Sequence, residues 1–226
     1  MYRSGSTLQY NIASEIIERL GVGSREKYYP IHEIYFKNKL NKDLKTFKSH
    51  LLSKEIEEQI RNNNAYVLLT YRDIRDVMAS WQKKNNFIFE VADGLKWARS
   101  TINSFEKWEN LSCKRKLISK YEIFTLDIKQ EVNSISEFIG FDIDKKTIDE
   151  VTDNVMVEKF KKRLENLSID QLEVDNNLSW DQKTLIHLDH FQDGRIGKYK
   201  KELSKELQEL TTKEFNSWLV DHGYEY

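Results

Sequence analysis

Three short segments of the sequence combine residue types that could act on a charged group. The first is Arg3-Ser4-Gly5-Ser6-Thr7, a run of small residues followed at once by an amphipathic pattern over residues 7 to 20. Such a turn presents free backbone N–H groups and the positive end of a helix dipole to a phosphate or sulfate. Gly5 lets the backbone approach closely, and Arg3 adds charge. Taken alone, the segment is equally consistent with an ordinary helix cap.

The second segment follows Ala65 to Thr70, a continuously apolar run that predicts a strand buried on both faces. Arg72 therefore lies at the C-terminal edge of a strand, where ligands of α/β proteins bind, and Ser80 lies in the following helix. The planar arginine fork can grip a phosphate in two places. Asp76 is expected to cap a turn or to pair with an arginine. The alternative interpretation is a charged helix start with surface ion pairs.

The third segment is Lys48-Ser49-His50, after a predicted strand at 45 to 51. A neutral imidazole can take a proton near pH 7, so His50 is a candidate general base. Lys48 could neutralise charge that develops on a transferred group. A lone histidine is structural or exposed by default, and His32 and His187 keep that interpretation.

Composition excludes several classes of protein. Lys and Arg total 36 against 37 Asp and Glu, so bulk charge gives no reason to expect binding to nucleic acid or a membrane. The full Gly-x-x-x-x-Gly-Lys-Ser/Thr pattern is absent, which argues against an ordinary ATP or GTP enzyme. The sequence shows no metal-ligand pattern, and the single Cys113 cannot form an internal disulfide. With no membrane-spanning run or secretory signal, we expect a cytoplasmic protein.

The order of elements predicts one α/β domain over residues 1–226 with a parallel sheet, because strands and helices alternate through the first half. The second half reads as helical. Predicted strands lie at 45 to 51, 65 to 70 and 116 to 121. Predicted helices lie at 7 to 20, 53 to 62, from about 75, 88 to 110, 128 to 139, 145 to 165, 181 to 188 and 204 to 221, the last with a capping box at Thr211-x-x-Glu214.

These motifs resemble those of the PAPS-dependent sulfotransferase family, where PAPS is 3′-phosphoadenosine 5′-phosphosulfate. Tyr2 to Thr7 resembles the family's 5′-phosphosulfate loop, Pro-Lys/Arg-Ser-Gly-Ser/Thr-Thr, with Tyr2 in place of proline. Arg72 to Ser80 resembles its 3′-phosphate motif, Arg-x-Pro-x-Asp-x-x-x-Ser, with Ile74 in place of the proline. Phe47 to Leu51 resembles the Lys-Thr-His segment that carries the family's catalytic histidine.

Two weaker matches extend the resemblance to about residue 204. Lys120-Tyr121-Glu122 is similar to the Tyr-Glu-Asp element whose tyrosine lies near the adenine, although core packing explains Tyr121 almost as well. Phe191 to Lys200 resembles the family's Arg-Lys-Gly-x-x-Gly-Asp-Trp-Lys loop, with Gln192 and Asp193 in place of the basic pair. Arg195 could supply the missing charge from a neighbouring position, and an ordinary glycine-containing loop is the alternative.

The resemblance implies a three-layer P-loop-like α/β fold with a central parallel sheet flanked by helices. It assigns catalysis to His50, Lys48 and Arg3, with Glu33 as a reserve base. It assigns PAPS binding, with no metal, to a set of residues along the chain: Arg3, Ser4, Gly5, Ser6, Thr7, Arg72, Ser80, Tyr121, Gly194, Arg195 and Gly197.

One feature departs from the family pattern. The family has a central strand immediately before the phosphate loop, but only Met1 and Tyr2 precede Arg3, so the first strand is expected to be truncated. Two interpretations stay open: the start lies too far downstream, or this form is impaired.

The implied function is transfer of a sulfuryl group to a hydroxyl or amine. The acceptor is a small molecule, a carbohydrate or a peptide, and the oligomeric state stays open. The alternatives are a non-catalytic nucleotide-binding protein of the same fold and a P-loop-like nucleotide kinase.

Overall fold

Helices and short strands alternate along the described chain, which comprises residues 1–26, 43–175, 178–187 and 194–224 of a computed structural model. Its strands are β1 (Gly23–Arg25), β2 (Leu44–Thr46), β3 (Val67–Tyr71), β4 (Lys116–Lys120), β5 (Leu172–Asp175) and β6 (Leu178–Asp181). Its α-helices are α1 (Ser6–Arg19), α2 (Lys54–Arg61), α3 (Ile74–Lys84), α4 (Val91–Glu109), α5 (Tyr121–Phe124), α6 (Ile128–Ile139), α7 (Lys145–Asn154), α8 (Val157–Glu165), α9 (Tyr199–Glu202), α10 (Lys205–Glu214) and α11 (Asn216–Asp221).

The strands form parallel pairs in the first half of the chain and a hairpin in the second. β1 pairs with β2, and β3 pairs with β4 in the register Val67↔Lys116 to Tyr71↔Lys120. β5 and β6 are antiparallel. Within the described residues the three pairs are not hydrogen-bonded to one another. The parallel pairing confirms the expected α/β class.

β3 separates the two larger parts of the core, because successive side chains of a strand point to opposite faces. Leu69 and Tyr71 pack with α3, α4, α10 and α11. Leu68 packs with α1, α6 and α7 on the other side, together with Leu117 of β4. The result is a three-layer arrangement, and β3 is buried on both faces as its continuous apolar run predicts.

Local signals explain where several helices begin or end. Ser53 caps α2 by accepting a hydrogen bond from Ile56 N, and Asp73 caps α3 by accepting one from Arg75 N. Gly140, in the left-handed conformation at φ 90°, ends α6. The predicted bounds of α1, α2, α4 and α6 agree with the structure to within a few residues.

Several sequence predictions for the second half are wrong. The single helix expected over 145 to 165 is two helices, with Val155 buried between them and Met156 extended. The helix expected over 204 to 221 likewise breaks at Phe215. Thr211 is not a capping residue but lies buried inside α10, whose cap is Ser204.

No helix was found over the described part of 181 to 188. Asp181 ends β6, and its carboxylate accepts hydrogen bonds from the backbone N–H groups of Lys183 and Thr184. Such local side-chain bonding offers the backbone an alternative to a helix. The expected strand at 45 to 51 is likewise shorter, ending at Thr46.

No helix of the described residues is both long enough and apolar enough to cross a membrane.

Candidate functional site

The turn before α1 is built so that only glycine fits at residue 5. Gly5 has φ 87°, and a Cβ atom there would lie 2.5 Å from Cζ of Phe124. Leu8 N and Gln9 N donate to Gly5 O, so the N–H groups of Ser6 and Thr7 precede the helix ladder. These free N–H groups and the helix dipole make this turn suited to an anion.

The side chain of Ser4 faces inward rather than toward this turn. It is fully buried, and its Oγ donates to the carbonyl oxygen of Met1 at 2.7 Å and lies 2.7 Å from Oγ1 of Thr70. Its contribution to an anion site is therefore limited to its backbone, while its side chain ties the turn to the end of β3.

Four sequence-predicted residues meet at the start of α1, and we call Arg3, Thr7, Lys48 and His50 the Lys48 cluster. Lys48 Nζ donates to Thr7 Oγ1 at 2.7 Å. Burial, with help from Arg3 and Lys84, lowers the pKa of Lys48 to about 8. Within the described chain no carboxylate pairs with Lys48. The cluster is thus short of negative charge.

His50 lies in the loop after β2 and is neutral at pH 7. Burial, followed by the charge of Lys48, lowers its pKa to about 3. Its ring stacks on Tyr2 with centroids 4.3 Å apart and an interplanar angle of 29°. Sequence reasoning noted Tyr2 only as a substitute for proline and missed this contact. Glu33, the reserve base, lies outside the described residues, as does His32.

A hydrogen bond joins the first and second motifs. Arg3 Nε donates to Ser80 Oγ at 3.0 Å across 77 residues of sequence. Arg3 has φ 55°, a left-handed conformation that costs a non-glycine residue about 1–2 kcal/mol. Ser80 is buried on α3. Arg3 thus combines a strained backbone with a side chain that reaches Ser80 in the second motif.

Arg72, Asp76, Tyr121 and the turn at 194–197 form a second group, which we call the Arg72 cluster. Arg72 follows β3 and is 2% exposed. Its Nη2 donates to the carbonyl oxygen of Arg195 at 2.9 Å and lies 3.4 Å from Asp76 Oδ2. The guanidinium lies 4.1 Å from the centre of the Tyr121 ring, a cation–π contact.

One donor of Arg72 has no partner among the described residues. Its Nε is buried without a hydrogen bond in the described chain. A buried donor left unsatisfied costs about 1–3 kcal/mol, so the arginine is suited to an incoming acceptor such as a phosphate oxygen.

Asp76 holds the 194–197 turn against α3. Its carboxylate is fully buried and accepts from Gly197 N at 2.7 Å and from Tyr199 N at 3.0 Å. The expectation that Asp76 caps a turn and pairs with an arginine is confirmed. Because the same carboxylate lies beside Arg72, the turn and the arginine are positioned together.

Tyr121 links the turn before α1 to the 194–197 turn. Its hydroxyl donates to Gly194 O at 3.4 Å, and its Cδ2 would lie 3.0 Å from a Cβ atom on Gly5. Arg195 has an exposed side chain, and its carbonyl accepts from Arg72. Gln192 and Asp193, which stand in place of the family's basic pair, lie outside the described chain.

Sequence reasoning also missed the contact between Glu122 and Tyr224. Glu122 accepts from Asp73 N at 3.1 Å and from the Tyr224 hydroxyl at 2.9 Å. Burial raises the pKa of Glu122. The pair fixes the start of α3, and no local signal near Tyr224 indicates this contact.

A separate groove of about 740 Å³ lies between α4, α10 and α11 and contains none of the predicted site residues. Its charged lining is mainly acidic: Glu106, Glu109, Glu214 and Asp221. This charge would repel a phosphorylated ligand. The described residues also hold no cluster of His, Cys, Asp or Glu side chains able to bind a metal ion.

Comparison with known proteins shows the family and the fold of the chain. The profile of the family described as Sulfotransferase domain matches residues 2–223. Mouse sulfotransferase SULT7A1 complexed with PAP has a TM-score of 0.70 at 15% identity, over 96% of this chain and 81% of that chain. No curated protein matches by sequence.

Two structures of retinol dehydratase share the fold. Its complex with retinol and PAP has a TM-score of 0.62 at 16% identity, covering 100% of this chain and 81% of that chain. Its complex with androsterone and inactive cofactor PAP has a TM-score of 0.60 at 14% identity, covering 99% and 80%. The three-layer fold is therefore the P-loop-like fold of these proteins. From the family match over nearly its whole length, the chain belongs to the sulfotransferase family.

Proposed function

We propose that the chain transfers a sulfuryl group from PAPS to a hydroxyl or amine, with His50 as the general base. The observation that carries this proposal is the Arg3–Ser80 hydrogen bond, because it unites the two phosphate motifs in one site. The family match supports the choice of nucleotide. So does the presence in the related structures of PAP, 3′-phosphoadenosine 5′-phosphate, which is the nucleotide product of the transfer.

The chain offers a separate set of donors for each end of the nucleotide. The N–H groups of Ser6 and Thr7, with Arg3 and Lys48, suit the 5′-phosphosulfate. Arg72 and Ser80 suit the 3′-phosphate, and the unsatisfied Nε of Arg72 provides a donor already buried for it. Tyr121 lies beside Arg72 as a ring on which the adenine could pack.

Sulfuryl transfer forms a bond from the acceptor oxygen or nitrogen to sulfur and breaks the bond from sulfur to the 5′-phosphate oxygen. His50 accepts the proton that the acceptor loses. Lys48 and Arg3 stabilise the negative charge left on the 5′-phosphate. No residue needs to form a covalent intermediate.

The electrostatics of the Lys48 cluster support the assignment of proton acceptance to His50 and of charge stabilisation to Lys48. A pKa of about 3 keeps His50 neutral but makes it a weak base. A bound anion beside Lys48 would offset the positive charge that lowers this pKa, so the basicity of His50 rises when the nucleotide is present.

We infer that the acceptor is an apolar small molecule. A line of aromatic rings runs from Trp81, on the helix that carries Ser80, through Trp97 to Phe89, with centroids 5.2–5.6 Å apart. Ile88, next to Phe89, is 80% exposed. The related structures that contain retinol or androsterone support this acceptor class.

The test is transfer of labelled sulfate from PAPS to a panel of phenols, apolar alcohols, arylamines and sugars. We expect turnover on an apolar hydroxyl or amine, and a loss of about 100-fold or more in kcat for His50→Gln with PAP binding retained. PAP binding without transfer to any acceptor would support the non-catalytic alternative. Binding of ATP in preference to PAP would support the nucleotide kinase.

A further inference from the structure

The orientation of the His50 ring depends on a stacking contact rather than on a hydrogen bond. Within the described chain, neither ring nitrogen of His50 has a hydrogen-bond partner. A histidine that acts as a base is commonly oriented by a bond to its second nitrogen. Here the 4.3 Å stack on Tyr2 is the contact that fixes the ring plane.

Tyr2 is itself held by rigid elements. Its ring meets Trp81 of α3 edge-on, with centroids 5.8 Å apart at 61°. Trp81 in turn lies 5.2 Å from Trp97 of α4. Through Tyr2, the ring of His50, which lies in an irregular loop, is therefore held against the helices α3 and α4.

We propose that Tyr2 is a positioning residue for sulfuryl transfer, because its ring holds the imidazole of His50 in the orientation that accepts the acceptor's proton. This inference rests on the proposed function. Tyr2 is expected to touch neither nucleotide nor acceptor during the transfer, and it acts through His50 alone.

The stack also limits the access of water to His50. The charged groups that act on this ring are Lys48, Lys84 and the amino group of Met1, all of which lower its pKa together with burial. Replacing Tyr2 by a small residue admits water, so the pKa of His50 rises toward its ordinary value. The acid limb of the pH–rate profile should then move to higher pH.

The experiment compares Tyr2→Ala, Tyr2→Phe and a control, Tyr66→Leu, which removes an edge-on contact with Phe138 away from the site. For Tyr2→Ala we expect kcat to fall about 10- to 100-fold, with KM for PAPS and the affinity for PAP retained. Tyr2→Phe keeps the ring and should restore most of kcat. The control should leave the pH profile in place.

Proton NMR of the histidine rings gives a readout that does not need turnover. His50 is assigned from the signal missing in His50→Gln. Its signal should move in Tyr2→Ala, stay close to its position in Tyr2→Phe, and titrate at higher pH in Tyr2→Ala.

The outcomes separate the two hypotheses. An active protein in which Tyr2→Ala keeps kcat, or leaves the His50 signal in place, overturns the positioning role alone. A wild-type chain that binds PAP and shows the stack but transfers nothing overturns the proposed function and the role of Tyr2 with it. Loss of PAP affinity in a folded Tyr2→Ala would make Tyr2 a binding residue and would also overturn the inference.

Discussion

The Lys48 cluster and the Arg72 cluster differ in whether a carboxylate lies beside the positive charge. Arg72 lies beside a buried carboxylate and donates to a backbone carbonyl. Lys48 donates to a hydroxyl, has no carboxylate partner in the described chain, and has its pKa lowered to about 8. The Arg72 cluster is therefore organised before a ligand arrives, whereas the Lys48 cluster has repulsion that an anion would relieve.

This difference suggests separate tasks. An arginine held in place by its neighbours is suited to recognising one fixed phosphate. A partly buried lysine beside the proposed general base is suited to responding to charge that changes during the reaction. Substitutions in the two clusters should therefore affect different quantities.

The largest effect is expected for Lys48→Met on the chemical step. We expect kcat to fall about 100-fold or more, because the amine would no longer stabilise the charge on the 5′-phosphate, while PAP affinity falls only about tenfold. Single-turnover and equilibrium binding measurements separate the two quantities. Lys45→Met, on β2 and paired with Glu26 and Ser24, is the matched control. A loss of PAP affinity with kcat unchanged would mean that Lys48 only binds.

The next effect concerns recognition by the Arg72 cluster. Arg72→Ala should lower PAP affinity about 100-fold and leave the affinity for adenosine 5′-phosphate, which has no 3′-phosphate, nearly unchanged. Arg72→Lys keeps the charge but loses the fork, so it should recover only part of the affinity. An equal loss for both nucleotides would contradict the assignment of Arg72 to the 3′-phosphate.

Asp76→Asn tests whether the Arg72 cluster is organised in advance. The carboxylate accepts two backbone hydrogen bonds and lies beside Arg72, so its loss should lower the free energy of unfolding by about 2 kcal/mol. Denaturant unfolding measures the change. Asp149→Asn, which removes an exposed ion pair with Lys129, should leave stability unchanged. An Asp76→Asn variant with an unchanged free energy of unfolding would mean that other contacts hold the 194–197 turn.

The smallest effect is a pH dependence of binding. The pKa of Lys48 is about 8 in the free protein, and a bound anion raises it, so PAP binding takes up a proton between these two values. Affinity should therefore fall about tenfold from pH 7 to pH 9. Calorimetry in buffers of different ionisation enthalpy detects the proton, and Lys48→Met should abolish the dependence. Affinity that rises with pH would contradict the assigned pKa.

Local patterns predicted the elements that carry the site. The apolar run at 65 to 70 is β3, and the small residues from Ser4 to Thr7 precede α1 as expected. Arg3, Ser80, Lys48 and Thr7 were expected in one site; the structure joins Arg3 to Ser80 and Lys48 to Thr7 by hydrogen bonds, and the roles of these residues stay predictions. The predictions of β3 and α1 succeeded because periodicity and turn chemistry act over a few residues.

Contacts between distant segments could not be read in the same way. The stack of Tyr2 on His50 and the pairing of Glu122 with Tyr224 depend on how helices and loops pack, and their residue types alone do not indicate a partner. The prediction of a helix over 181 to 188 was wrong for a related reason. The backbone N–H groups of Lys183 and Thr184 donate to the Asp181 carboxylate, and these bonds favour a turn over the helix that the apolar pattern indicates.

The most direct test of the account is calorimetric titration of the chain with PAP and, separately, with ATP. The account predicts saturable PAP binding with ATP much weaker, because both clusters have a phosphate to bind only in PAP. A folded protein that binds ATP as tightly as PAP, or binds neither, would contradict the claim that these two clusters form one PAPS site.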